Sequence, residues 1–183
     1  MFAAALTLLS GLALANAAGL RYGATSEYGQ NQGDFILHET ANPSGYVLGG
    51  SVATNLSISA TLTNGELWMH CPYEGYQAVL VPVAGADPAA YTVQFINSFE
   101  GLPAGTLMGK WATTEDRTGL GNDNFTKVIN LNHPEDVGRW DVHLNNDKYD
   151  GVNTIEWVNK SYYDHGVYRG WFIVLDNAND VTC

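Results

Sequence analysis

Between Asp34 and Leu175 the sequence sustains no helical repeat. Its apolar residues come in short alternating or β-branched runs, each closed by a turn cluster, and this is its strongest constraint on fold. The runs are Asp34–His38, Tyr46–Leu48, Asn55–Leu62, Glu66–Cys71, Gln77–Val83, Tyr91–Ile96, Thr106–Ala112, Phe125–Leu131, Trp140–Leu144, Asn153–Val158 and Val167–Leu175. Asn42-Pro-Ser-Gly, Ala84-Gly-Ala-Asp-Pro, Leu102-Pro-Ala-Gly, Gly119-Leu-Gly-Asn-Asp, Asn132-His-Pro-Glu-Asp and Asp147-Lys-Tyr-Asp-Gly are among the clusters between them. Thr61-Leu-Thr-Asn64-Gly65-Glu-Leu-Trp68 predicts a hairpin, because Asn-Gly suits the two left-handed positions of a type I′ turn. Leu56, Ile58, Ala60 and Leu62 alternate with Ser57, Ser59 and Thr61, which predicts one buried and one wet face. About ten or eleven strands spaced roughly 8 to 14 residues apart predict an all-β antiparallel sandwich or flattened barrel.

The last run, Tyr168 to Leu175, is the most apolar and reads as a central strand. The chain then ends on Cys183, one of two cysteines, the other being Cys71. A terminal residue frays unless it is tied down. A Cys71–Cys183 disulfide is therefore expected to clip the last strand to an early one, closing a loop of about 110 residues.

Phe2 to Ala15 is an Ala/Leu-rich run too short to span a bilayer, and Ala15-Asn16-Ala17 has the small-x-small form of a signal-peptidase site. Residues 1–17 are read as a signal peptide and 18–183 as one secreted β domain. Roughly 165 residues suffice for one core. Gly19 to Gly33 is polar and Gly/Gln/Asn-rich and reads as a surface entry or a frayed arm. In an exported chain the sequons at Asn55, Asn124 and Asn159 are glycosylation candidates. The formal net charge of −11 opposes binding to nucleic acid or an anionic membrane surface.

Chemistry-bearing residues concentrate in the last third. His133, Asp141, His143, Asp147 and Asp150 have the donor types of a metal site, and Asp141 and His143 share one strand face. The competing reading places Trp140, Val142 and Leu144 inward and leaves Asp141 and His143 facing water. Aligning Gly151 with an EF-hand glycine puts Lys148 and Trp157 at ligand positions, so that motif fails. A looser loop site on Asp147 and Asp150 remains. There is no Gly-x-Ser-x-Gly elbow, no His-Glu-x-x-His and no Gly-rich phosphate cradle, and no catalytic residue or cofactor is assigned. Tyr149, Trp157, Tyr162 and Tyr163 lie among Asp and Asn residues and are candidate sugar-binding rings.

Ile36-Leu-His38-Glu-Thr-Ala-Asn42-Pro-Ser-Gly45-Tyr-Val-Leu48-Gly49-Gly50 resembles the opening of the small secreted cell-wall proteins of filamentous ascomycetes, the phialide cell-wall proteins among them. The shared features are a strand ending in His, an Asn-x-x-Gly turn, an aromatic strand and a Gly-Gly step. The Asn64-Gly65 hairpin and Gly138-Arg139-Trp140-x-Val142 fit the same order. The resemblance implies an exported, non-enzymatic wall protein with no catalytic residues to carry over. The expectation is a secreted protein, wall-associated or acting on a host as elicitor or effector, with a carbohydrate-binding module and an acidic/His hydrolase as alternatives. Its expected partner is a cell-wall polysaccharide or a host extracellular protein, and the chain is expected to be a monomer.

Overall fold

A computed structural model of the protein describes residues 18–26, 29–41, 44–51, 58–85, 90–116, 125–132, 138–147, 150, 152–159 and 169–174. Among them are thirteen strands and no α-helix. They are β1 (Ala18–Ser26), β2 (Gly29–Ala41), β3 (Ser44–Ser51), β4 (Ile58–Thr63), β5 (Glu66–Cys71), β6 (Tyr76–Pro82), β7 (Ala90–Ile96), β8 (Leu107–Met108), β9 (Trp111–Asp116), β10 (Phe125–Asn130), β11 (Gly138–Asn146), β12 (Val152–Asn159) and β13 (Arg169–Val174). Their ladders are antiparallel, in agreement with the all-β expectation.

The pairings form two circuits that share β1, β2 and β3. One runs β1–β2–β3–β7–β6–β5–β4 and returns to β1. The other runs β1–β2–β3–β12–β11–β13 and returns to β1. β10 and β9 extend the sheet from β13, and β8 from β6. The last strand, β13, has neighbours on both edges, β1 on one and β10 and β11 on the other. An early strand, β1, thus holds β13 through a backbone ladder.

The core is built from alternate positions of these strands. Leu48, Ile58, Ala60, Leu67, Met69, Ala78, Leu80, Val93 and Phe95 meet Trp111, Val128, Trp140, Ile155 and Trp157 in one cluster. Each leucine, isoleucine, valine, methionine or phenylalanine among them contributes on the order of 1.5 to 3 kcal/mol by leaving water. β5 shows the period of two: Leu67, Met69 and Cys71 are buried, while Glu66 and His70 are exposed. β6 is buried on both faces, because Val79 and Val81 join Ile96 in a second cluster under Leu102. Gly45, where β3 crosses the end of β7, is obligatory for space: a Cβ there would overlap the carbonyl oxygen of Phe95.

Asn64 and Gly65 adopt φ of 52° and 80°, both left-handed, as the predicted type I′ hairpin requires. Three expectations are corrected. Gly19 to Gly33 is not a frayed arm, since β1 and the first part of β2 lie within it. Ladders on both edges of β1 satisfy a backbone whose side chains alone favour no strand. The run Thr106–Ala112 is broken by consecutive left-handed residues, Gly109 and Lys110, at φ 70° and 63°. That bend docks on the hairpin, with the Trp111 amide donating to the Gly65 carbonyl. Finally, Ser59 is 3% exposed, so the start of β4 is covered on both faces.

Cys71 is buried and is not a free thiol. Cys183 lies outside the described residues, as do residues 1–17, Asn55 and Asn124. Asn159 is the last residue of β12, paired with Gly138.

Candidate functional site: a tyrosine platform and a histidine–glutamate pair

Register decides which side chains meet at the end of the core. Tyr46 pairs with Phe95 across β3–β7, and Phe95 pairs with Ala78 across β6–β7. Tyr46 and Tyr76, the first residue of β6, therefore both belong to the face that carries the core, at its rim. The β5–β6 turn lays Tyr73 over them. The Tyr46 and Tyr73 rings stack with centroids 4.5 Å apart and planes 6° from parallel. Tyr76 is tilted against both, at 5.2 Å from Tyr46 and 6.1 Å from Tyr73.

Polar groups edge these rings. Asn97 Nδ2 donates to the Tyr76 hydroxyl at 3.1 Å. Exposed Glu39 is the direct cross-strand partner of Tyr46. The Tyr46 phenol is pushed up to about 12, first by burial, then by a hydrogen bond to Tyr73 and by the charges of Tyr73, Tyr76 and Glu39. Tyr73 remains 43% exposed and Phe99 48% exposed. The result is an apolar ring surface flanked by an amide, a carboxylate and hydroxyls. Such a surface suits a polyol with both apolar and hydroxyl faces.

The second arrangement lies on β11–β12. Asp141 pairs with Glu156 and His143 with Thr154, so these four positions share the face opposite Trp140 and Trp157. Glu156 is 5% exposed, and its Oε1 accepts from the Thr154 hydroxyl at 3.1 Å. The same oxygen lies 3.2 Å from His143 Nδ1, which donates when the carboxylate is ionised. The His143 side chain is 52% exposed. Thr92 and Gln94 continue this buried polar layer on β7, where Gln94 Nε2 donates to the Thr92 hydroxyl at 3.2 Å. A histidine oriented by a buried carboxylate is an arrangement that general bases use, and it also serves as a structural contact between strands.

The sequence-predicted residues are distributed differently from expectation. Trp157 is no sugar-binding ring: it is 4% exposed, inside the core, edge-on to Tyr91 at 6.3 Å. The strand period that puts Glu156 on one face puts its neighbour Trp157 on the other, with Trp140. Tyr149, Tyr162, Tyr163 and His133 lie outside the described residues. Of the expected metal set, His143 meets Glu156, while Asp150 lies 3.6 Å from His38 Nε2. Asp147 is exposed. Among the described residues no three His, Cys, Asp or Glu side chains come together to hold a metal.

Sequence reasoning missed Tyr46, Tyr73, Tyr76, Asn97 and Glu156. The first four are brought together by long-range pairing. The alternation of Ile155, Glu156 and Trp157 was the available signal for Glu156. In comparisons with known proteins, no family model, curated protein or solved structure matches the chain.

Proposed function

We propose that the protein is an exported, non-catalytic β-protein of the cell wall that holds neutral wall polysaccharide on the Tyr73 platform. The stacked Tyr46–Tyr73 pair carries this reading. Tyr46 backs one face of the Tyr73 ring and fixes its orientation, so little side-chain entropy remains to be lost on binding. Asn97 and Glu39 stand beside the rings as hydrogen-bonding groups for sugar hydroxyls. The net charge of −11 disfavours acidic polymers, which leaves chitin- or glucan-type chains as the ligand class. The stretch Ile36–Gly50, which resembles the ascomycete wall proteins, contributes Glu39 and Tyr46 to this surface. The same proposal includes export by residues 1–17, a Cys71–Cys183 disulfide, and a sandwich or flattened barrel formed by the two strand circuits around the shared tryptophans.

The test is sedimentation of the purified protein with insoluble chitin, β-glucan and plant wall polysaccharides. Saturable binding is expected with at least one of them. Tyr73→Ala should weaken it roughly tenfold or more, equivalent to about 1.4 kcal/mol. Binding that survives Tyr73→Ala unchanged would remove the platform from the account. Absence of binding to every polymer would sink the glycan reading and direct attention to a host extracellular protein.

A further inference from the structure

The tyrosines are arranged for a chemistry that sugar binding does not use. Two phenols couple oxidatively when their ortho carbons, those next to the hydroxyl-bearing carbon, can meet. The Tyr46 and Tyr73 rings are parallel with centroids 4.5 Å apart, and Tyr73 is among the groups that raise the Tyr46 phenol. Parallel rings at this spacing bring carbons of one ring close to carbons of the other. Tyr73 is 43% exposed and lies in the turn between β5 and β6, so an oxidant can reach it. The twisted biaryl geometry requires the Tyr73 ring to leave the stack, and Tyr73 stands in the turn and not in a strand. Tyr76 is farther, at 5.2 Å from Tyr46, is tilted by 57° from it, and its hydroxyl accepts from Asn97.

We propose that Tyr46 and Tyr73 are an oxidative coupling site, converted by a peroxidase-type oxidant with hydrogen peroxide into an intramolecular dityrosine. Each phenol loses one electron and one proton to give a phenoxyl radical with spin density on its ortho carbons. The two radicals form one carbon–carbon bond. Each ring then moves its ortho hydrogen to oxygen and regains aromaticity. Overall, two phenols and one hydrogen peroxide give one biphenol and two waters. The product bolts the β5–β6 turn to β3 at the rim of the core. The site uses the same rings as the glycan platform but does not depend on glycan binding.

The experiment treats dilute folded protein with a peroxidase and hydrogen peroxide. The chain is then cut by a glutamate-specific protease, since Glu39, Glu66, Glu74 and Glu100 place Tyr46, Tyr73 and Tyr76 on different peptides. The expected product runs as a monomer and contains the Tyr46 and Tyr73 peptides joined with loss of two hydrogens. Tyr46→Phe and Tyr73→Phe, which keep the ring and its stacking, should each abolish that species, and Tyr76→Phe should retain it. Absence of the joined peptide, a joined peptide that persists in Tyr73→Phe, or dityrosine formed only between chains would each overturn the proposal. The two readings fail separately: polysaccharide sedimentation of the untreated protein tests the platform, and the joined peptide tests the coupling.

Discussion

Two aromatic groups sit on the same face of the sheet and behave differently. In the middle, Trp111 and Trp140 stack with centroids 6.3 Å apart, both 2% exposed, and Trp111 Nε1 donates to the Ala78 carbonyl at 3.0 Å. At the rim, Tyr46, Tyr73 and Tyr76 stack as closely but keep their hydroxyls toward one another and Asn97. In the middle, a ring's polar atom must find a backbone partner, and its full area contributes to folding. At the rim the polar ends are wet and part of the ring area remains for a ligand. Depth along the strand, not residue type or neighbours in sequence, separates a core aromatic from a platform.

Removing the proposed disulfide tests this contrast most severely, because Cys71 stands two residues before Tyr73. Cys183→Ser should cost on the order of 4 to 5 kcal/mol through the long loop it closes, seen as a large drop in melting temperature in oxidising buffer. An unchanged melting temperature would show that the β1–β13 ladder holds the last strand unaided. Trp140→Ala should cost about 3 to 5 kcal/mol in denaturant unfolding. Tyr73→Ala, by contrast, should cost about 1 kcal/mol of stability through the lost ring stack while weakening polysaccharide binding roughly tenfold or more. Equal losses of stability from Trp140→Ala and Tyr73→Ala would erase the distinction between core and rim.

A further expected effect is on pH dependence. Tyr46 rises from 10.0 to about 12 on folding, so the folded state keeps its proton where the unfolded chain has lost it. The unfolded state then binds fewer protons, and stability falls with rising pH. Its contribution is complete below pH 10 and is lost between pH 10 and about 12. Tyr46→Phe should flatten stability over that window, and a titration of phenolate absorbance should show one fewer late-ionising tyrosine. A slope unchanged by the substitution would mean that another group supplies it.

Much of the local structure was legible because it depends on neighbours in sequence. Glu66–Cys71 emerges with its expected bounds, and Asn64-Gly65 forms its turn, since alternation and left-handed propensity are local properties. Gly19 to Gly33 was illegible for the opposite reason. Its side chains favour no strand, and only partners on β2, β4 and β13 give its backbone somewhere to bond. Trp157 misled because Asp and Asn flank it in sequence, whereas its cross-strand partner is Trp140.

By itself the sequence determined the class of the protein: short runs with a period of two and turn residues between them leave an antiparallel β fold as the arrangement that buries the apolar face. It also determined the acidic charge and the scarcity of cysteine. Tertiary structure alone decided which residues form a site. Tyr46 and Tyr73 are 27 positions apart, and the β3–β7–β6 ladders bring their strands together. His143 and Glu156 meet because the β11–β12 register sets Asp141 against Glu156. Register is a long-range quantity, fixed when hydrogen-bond satisfaction and core burial are met together, and no local stretch of the chain contains it.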